Sequence, residues 1–164
     1  MSRKQNLEIE RKFLIKYPDL SVLESNEDIK KAEIIQTYTS SGARLRSWLE
    51  KGRITYIKTV KKHLTDITRI EEEYEISKEE YEELMADAIS QLKKIRYRMP
   101  YMGHLMEIDI FPFWSRQAFL EVELKGEDEE FFIPDFINII KEVTEDKAYR
   151  NFALSKNVPK EENF

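Results

Sequence analysis

Charged residues recur at every second position along several short segments of this chain, and most segments keep to one sign. Glu8, Glu10 and Lys12 share one parity, while Leu7, Ile9, Phe13 and Ile15 share the other. Arg44 and Arg46 alternate with Ala43, Leu45 and Leu49, and Lys94, Arg96 and Arg98 alternate with Ile95, Tyr97 and Met99. Arg69, Glu71, Glu73 and Glu75 stand against Ile70, Tyr74 and Ile76, with Glu72 as the exception. Glu107 and Asp109 alternate with Met106, Ile108 and Ile110, and Glu121 and Glu123 with Leu120, Val122 and Leu124. A sheet with one face in water produces alternation of this kind routinely. Such a face normally mixes Ser, Thr, Lys and Glu, however, and like charges two apart repel unless an opposite charge sits between them. Guanidinium groups match phosphate oxygens with paired hydrogen bonds, so the arginines suit a polyanion. The carboxylates Glu8, Glu10, Glu121 and Glu123 suit a hard cation such as Mg2+ or Mn2+, which binds carboxylate and phosphate oxygens together. One site holding a metal and a polyphosphate therefore accounts for both kinds of cluster.

Period-two alternation requires strands to position these groups. Eight are expected, over 6–15, 32–39, 43–49, 53–61, 68–76, 92–99, 104–111 and 117–125. Ser41-Gly42, Lys51-Gly52 and Met102-Gly103 are turn signals between antiparallel neighbours. A helix is expected over 77–90, where Ser77 and Glu80 make a capping box and Tyr81, Leu84, Met85, Ala88 and Ile89 form an apolar stripe. A looser helix is expected over 18–31, and further helices over 134–140 and 146–155, with 160–164 a frayed tail. This is an α+β pattern, mainly β: an antiparallel sheet with a few flanking helices. Closure into a barrel would remove exposed edges, although periodicity alone does not require it. An eight-stranded barrel leaves room for one small ligand, and a linear triphosphate is of that kind. A charged interior of this sort must be wet and cross-paired when empty.

At 164 residues with 41% apolar side chains, the chain is long enough for one domain with its own core, over 1–164. Its 27 basic and 32 acidic residues nearly cancel, which argues against a nucleic-acid surface. The absence of cysteine excludes disulfides, thiolate nucleophiles and Cys-based metal sites, and points to a cytoplasmic protein. No apolar run approaches the ~20 residues of a membrane span. His63 and His104 are expected on the surface, with no spacing that makes either a zinc ligand or a triad member. Trp48 and Trp114 can stack a nucleobase or thiazole, but packing at the barrel mouth is the plainer role. Phe131, Phe132, Phe136 and Phe152 are packing residues, with a share left for a homodimer contact.

The opening Glu8-Ile9-Glu10-Arg11-Lys12 contains E-x-E-x-K and resembles the signature of the CYTH family, the triphosphate tunnel metalloenzymes. The resemblance continues in order across nearly the whole chain. Arg44-Leu45-Arg46 resembles the paired arginines, Tyr56-Ile57-Lys58 the T-I-K strand, and 69–76 the R-x-E-x-E-x-E-I segment. Lys94-Ile95-Arg96-Tyr97 is similar to K-x-R-Y, Glu107-Ile108-Asp109 to E-V-D, and 120–124 to A-E-V-E-L. Glu142-Val143-Thr144-Glu145-Asp146, with Tyr149 and Asn151, is similar to the closing motif. One departure is Thr59, where the family usually has Gly.

The resemblance implies an eight-stranded antiparallel tunnel that hydrolyses triphosphates with a divalent metal. It assigns Glu8, Glu10, Glu121 and Glu123 to the metal, with Asp109 assisting, and Lys12, Arg44, Arg46, Lys58, Arg69, Lys94 and Arg96 to phosphates. Glu10 and Lys12 are its catalytic candidates. Lys58 shares the parity of Ile54, Tyr56 and Val60, which opposes an inward role. The short chain and its abrupt start most resemble the bacterial branch that cleaves inorganic tripolyphosphate. Thiamine triphosphatase, nucleoside triphosphatase and class IV adenylate cyclase activity stand as alternatives within the family. A non-catalytic polyphosphate-binding module and a plain scaffold barrel stand outside it. The acidic set argues against simple capture, which needs only the cations.

Overall fold

The structure, a computed structural model, describes residues 3–164, with side chains from Leu7 onward. The eight expected strands form as β1 (Arg3–Lys16), β2 (Lys30–Thr39), β3 (Arg44–Glu50), β4 (Arg53–His63), β5 (Thr68–Ile76), β6 (Ala88–Tyr101), β7 (His104–Ile110) and β8 (Gln117–Glu123). They pair antiparallel in the order β5-β4-β3-β2-β6-β7-β8-β1, and a further β1–β5 pairing closes the sheet into a barrel. The length of β1 makes closure possible. Its first half pairs with β5 and its second half with β8.

Two tight turns set the register of the arginine strands. Lys51 and Gly52 both have positive φ, at 52° and 75°, as do Met102 and Gly103, at 47° and 83°. Two-residue hairpins take this geometry because its twist matches that of the strands, and glycine adopts it without a Cβ penalty. The first turn puts Glu50 opposite Arg53, hence Arg44 opposite Thr59 and Arg46 opposite Ile57. The second puts Tyr101 opposite His104, hence Arg96 opposite Asp109 and Arg98 opposite Glu107.

The barrel is apolar outside and charged inside. Ile9, Phe13, Ile15, Tyr97, Met99, Met106, Ile108, Leu120 and Val122 take the outward parity and form the main core, covered by Leu23, Ile137 and the 131–136 segment. Leu23 belongs to α1 (Leu20–Glu24), which is all that forms of the helix expected over 18–31. A second cluster fills one end of the interior: Leu14, Leu92 and Phe119 point inward there and pack against Phe111, Trp114, Val143, Tyr149 and Leu154.

Two further helices depart from expectation. The helix over 77–90 stops early: α2 (Lys78–Leu84) is capped by the Ser77 hydroxyl, which accepts from Glu80 N–H at 3.1 Å, and one 3-10 turn follows at Met85–Asp87. Ala88 and Ile89 belong to β6, because pairing with β2 satisfies backbone groups that a longer helix would have to take elsewhere. Tyr81 does cover the sheet, lying 4.6 Å from the Tyr56 ring. The helix expected over 134–140 is a turn followed by β9 (Ile139–Glu142), which pairs along β1 beside Phe13–Ile15, where β5 has ended. At 146–155 the expectation holds as a 3-10 turn, Lys147–Tyr149, and a short α3 (Asn151–Leu154).

The tail expected to fray is strapped down. The Trp114 indole N–H donates to Pro159 O at 3.2 Å, Glu161 accepts from the Ser115 and Arg116 amides at 2.6 and 2.7 Å, and Glu162 N–H donates to Gln117 Oε1 at 2.8 Å. Net hydrogen bonds contribute about 0.5–1.5 kcal/mol each, and these four, lying near the surface, fall at the low end, about 2.5 kcal/mol together. Deleting residues 159–164 is expected to lower the melting temperature by roughly 5–10 °C, at 2–4 °C per kcal/mol for this chain length. A calorimetric melt that did not shift would show the strap to be passive.

Candidate active site

The inward parity of the strands lines a cavity of about 780 Å³. Into it β1 sends Glu8, Glu10 and Lys12; β3 sends Arg44 and Arg46; β4 sends Thr59 and Lys61. Arg69, Glu71 and Glu73 enter from β5, Arg96 and Arg98 from β6, Glu107 from β7, and Glu121 and Glu123 from β8. A bore of this kind stands only if its charges are paired, since an isolated buried ion costs several kcal/mol.

The pairing is dense and graded. Arg96 forms a fork with Asp109, at 2.8 and 2.9 Å, and also reaches Glu107 at 3.2 Å. Lys94 lies 2.9 Å from the same Asp109, and both side chains are essentially solvent-free. Arg46 pairs with Glu73 at 3.0 Å. Arg69 donates to both Glu8 and Glu10. Lys61 stands 3.7 Å from Glu8 and 3.6 Å from Glu71. The Lys12 ammonium is held 3.1 Å from Tyr149 O, 3.4 Å from Glu121 and 4.6 Å from the centre of the Phe119 ring, at the border between the charged bore and its apolar end.

Some groups are left wanting. Arg44 has no carboxylate partner among the described residues; it reaches the Thr59 hydroxyl, at 3.4 Å, and hydrogen-bonds the Tyr38 hydroxyl. Among the described residues the buried Nε atoms of Arg44, Arg46 and Arg69 have no acceptor. Crowded cations depress one another: burial and the Arg44 charge pull Arg46 down to about 10, and pull Lys61 down to about 8. On the acidic side Glu10 lies opposite Glu123, and Glu121 opposite both Lys12 and Glu107. Burial pushes Glu10 up more than any one neighbour moves it, but Arg69, Lys61 and Lys12 together outweigh it and hold the carboxyl below its ordinary range. Glu123 has no cation partner among the described residues, and burial beside Glu10, Glu8 and Glu121 pushes it up to about 7.

This last shift gives a sign to test. A carboxyl with a folded-state pKa raised above 4.5 opposes folding once it must ionise, so the penalty is absent below the ordinary value and complete above the raised one. In metal-free protein Glu123→Gln is expected to raise the melting temperature at about pH 8 and leave it unchanged at about pH 4. Melts in chelator that showed no gain at the higher pH would contradict the unpaired charge.

Of the residues expected in the site, Glu8, Glu10, Lys12, Arg44, Arg46, Arg69, Arg96, Glu121 and Glu123 line the bore together. Lys58 does not. Its strand register puts it opposite Leu45 and Tyr74, on the outer face, and Lys61 is the lysine that β4 points inward. Lys94 and Asp109 are not among the lining residues, because each is buried against the other and against Arg96. Thr59, the departure from the family's usual Gly, sits in mid-strand and places its hydroxyl 3.4 Å from Arg44 and 3.4 Å from Glu73.

Sequence reasoning missed Lys61, Arg150 and His63 as lining residues, while Arg98, which shares the charged parity of Lys94 and Arg96, lines the bore as that parity expects. Period-two counting from Thr59 would have found Lys61 and His63. His104, expected on the surface, is mostly buried and lies 2.6 Å from Glu129. Trp48 lines the bore with Arg46 and Arg98 against its ring, at 5.5 and 5.3 Å, whereas Trp114 is buried outside it.

An inorganic triphosphatase of Acetivibrio thermocellus is 32% identical over 153 residues, covering 92% of this chain and 94% of the relative. An inorganic triphosphatase of Nitrosomonas europaea is 32% identical over 160 residues, covering 93% and 99%. A crystal structure of an inorganic triphosphatase, 29% identical, matches with a TM-score of 0.57 over 93% of this chain and 97% of that one. A Pyrococcus furiosus protein only 20% identical shares the fold, with a TM-score of 0.52 over 74% and 80%. No family model matches the chain. With a third of its residues shared along nearly the full length of these relatives, the chain belongs to the CYTH family of triphosphate tunnel metalloenzymes, among the inorganic triphosphatases.

Proposed function

We propose that this chain hydrolyses inorganic tripolyphosphate to pyrophosphate and phosphate, with a divalent metal held by Glu10, Glu121 and Glu123. The observation that carries the reading is the set of inward arginines, Arg44, Arg46, Arg96 and Arg98, facing carboxylates across one enclosed bore. Phosphoryl transfer asks for in-line positioning and charge neutralisation rather than covalent work, and this inventory provides both. Arg44 and Arg46 have unsatisfied buried Nε–H donors and Arg44 has no carboxylate, so they are the groups readiest to take phosphate oxygens. Lys12, fixed by Tyr149 O and Glu121, holds its ammonium at the closed end, where the terminal phosphoryl group would stop.

The donor set fits a hard cation. Glu10, Glu121 and Glu123 offer oxygen ligands only, from two strands in register, and Glu123 lacks a counter-charge that an ion would provide. Among the described residues no three acidic or imidazole groups yet converge to ligand distance. When bound, Mg2+ or Mn2+ would polarise phosphate oxygens and lower the pKa of an attacking water. Asp109, engaged by Arg96 and Lys94, serves this set by orienting Arg96 instead of by ligation.

Inorganic substrate is favoured over thiamine or nucleoside triphosphates by the state of the two indoles, one engaged by guanidinium groups and the other outside the bore. The deciding experiment supplies tripolyphosphate, thiamine triphosphate and ATP in competition, with Mg2+ or Mn2+, and measures phosphate, pyrophosphate and cyclic AMP. Preferred turnover of tripolyphosphate with equimolar phosphate and pyrophosphate is expected. Preference for either organic substrate, or cyclic AMP as product, would overturn the assignment.

A further inference from the structure

We infer that Arg69 is a stand-in cation: its guanidinium occupies the Glu8–Glu10 carboxylate pair, and it must swing away as Glu10 takes up a metal ion. The inference rests on the reading of Glu10 as a metal ligand and adds a mechanism of entry. Three observations carry it. One nitrogen, Arg69 Nη2, donates to a carboxylate oxygen of Glu8 and to one of Glu10, two side chains that share a face of β1. Arg69 is the ion-pair partner of Glu10 among the described residues, whereas Glu8 is also served by Lys61 at 3.7 Å. Among the described residues the buried Arg69 Nε–H has no acceptor, so the guanidinium is engaged there through one corner of its five-donor fork and keeps hydrogen-bonding capacity that these partners do not use.

A phosphate group entering the bore can satisfy that capacity with two parallel bonds. Removing one member of a buried ion pair alone would strand the other charge, so the guanidinium leaves Glu10 only as another cation arrives. Phosphate and metal binding then assist each other, and by linkage each raises the affinity of the other by the same factor. The plain alternative is that Arg69 is a clasp across the β1–β5 seam, where it lies opposite Glu8. A clasp and a stand-in differ in one respect: only the stand-in competes with metal.

The test titrates metal-free protein with Mn2+ and follows loss of the free-ion paramagnetic signal. Arg69→Gln is expected to bind Mn2+ about tenfold more tightly than the parent, within the usual range of such couplings. Arg44→Gln removes a bore cation that has no carboxylate partner and is expected to change the affinity less than about threefold, which separates competition from a general loss of positive field. Unchanged or weaker binding by Arg69→Gln, or an equal gain in Arg44→Gln, overturns the inference. Should Arg69→Gln fail to fold, Arg69→Lys retains the charge on a single point donor and is expected to gain about threefold, with no gain overturning the idea. The double variant Arg69→Gln, Glu10→Gln isolates the underlying assignment: loss of the gained affinity upholds Glu10 as a ligand, and retention removes it from the metal set.

Discussion

Glu10→Gln is expected to abolish tripolyphosphate hydrolysis, by about a thousandfold or more, in a protein that still folds. The magnitude follows from the site: a metal's charge stabilisation is worth several kcal/mol in the transition state, and each 1.36 kcal/mol is about tenfold in rate. Glutamine keeps the shape of Glu10 and can still accept a hydrogen bond from Arg69, while Glu8 remains as the charged partner of that guanidinium. Stability should therefore change little, and the loss should appear in kcat more than in KM. Steady-state kinetics with saturating Mn2+ separate the two. Undiminished turnover would place the metal elsewhere.

Arg96→Met is expected to produce the largest loss of stability, about 3–5 kcal/mol, which is roughly 10 °C or more in melting temperature. Arg96 binds both oxygens of Asp109 and also Glu107, and all three are buried. Without it Asp109 keeps only Lys94, and Glu107, already pushed up by burial, loses its cation. The neighbouring Arg98 is a fair control, since its pair with Glu50 at 2.6 Å leaves the arginine about one-third exposed. Arg98→Met should cost less than about 1 kcal/mol, as partly solvated pairs do. Equal losses from the two substitutions would show that the Asp109 fork contributes nothing special.

Much of this site was legible in the residues alone, and the reason is the β-strand repeat of two. Sorting Glu8 and Glu10, Arg44 and Arg46, and Glu121 and Glu123 by parity put each on the face where the structure has it, because a strand with one apolar side has no freedom to turn over. Lys58 shows where a motif misled. The two-residue turn at Lys51-Gly52 fixes Glu50 opposite Arg53, so Arg46 must face Ile57, and Lys58 must share a face with Leu45. That count was available from the sequence and opposes the T-I-K resemblance.

Pairing partners were less legible. Nothing in the spacing of Lys94 or Asp109 shows that each is buried against the other, since that depends on β6 and β7 lying at one side of the bore, where Phe119 and Leu92 exclude water. The helices were the weakest part. Ala88 and Ile89 continue an apolar stripe at helical spacing, but β2 offers them a ladder, and tertiary pairing overrides local propensity. Ile139 was drawn into a strand for the same reason, by the edge that β1 leaves open after β5 departs. The 160–164 tail looked frayed because its two glutamates carry no pattern; Glu161 is held by the backbone amides of Ser115 and Arg116, and Glu162 by Gln117 and Lys141.

Metal and phosphate are expected to meet inside the barrel, between the carboxylates of β1 and β8 and the arginines of β3 and β6. Crystals grown with Mn2+ and pyrophosphate test it through the anomalous difference map. A manganese peak bounded by Glu10, Glu121 and Glu123, with phosphate density reaching Arg44 and Arg46, is the predicted result. Ordered manganese and pyrophosphate on the outer surface, with the bore holding only water, would contradict it.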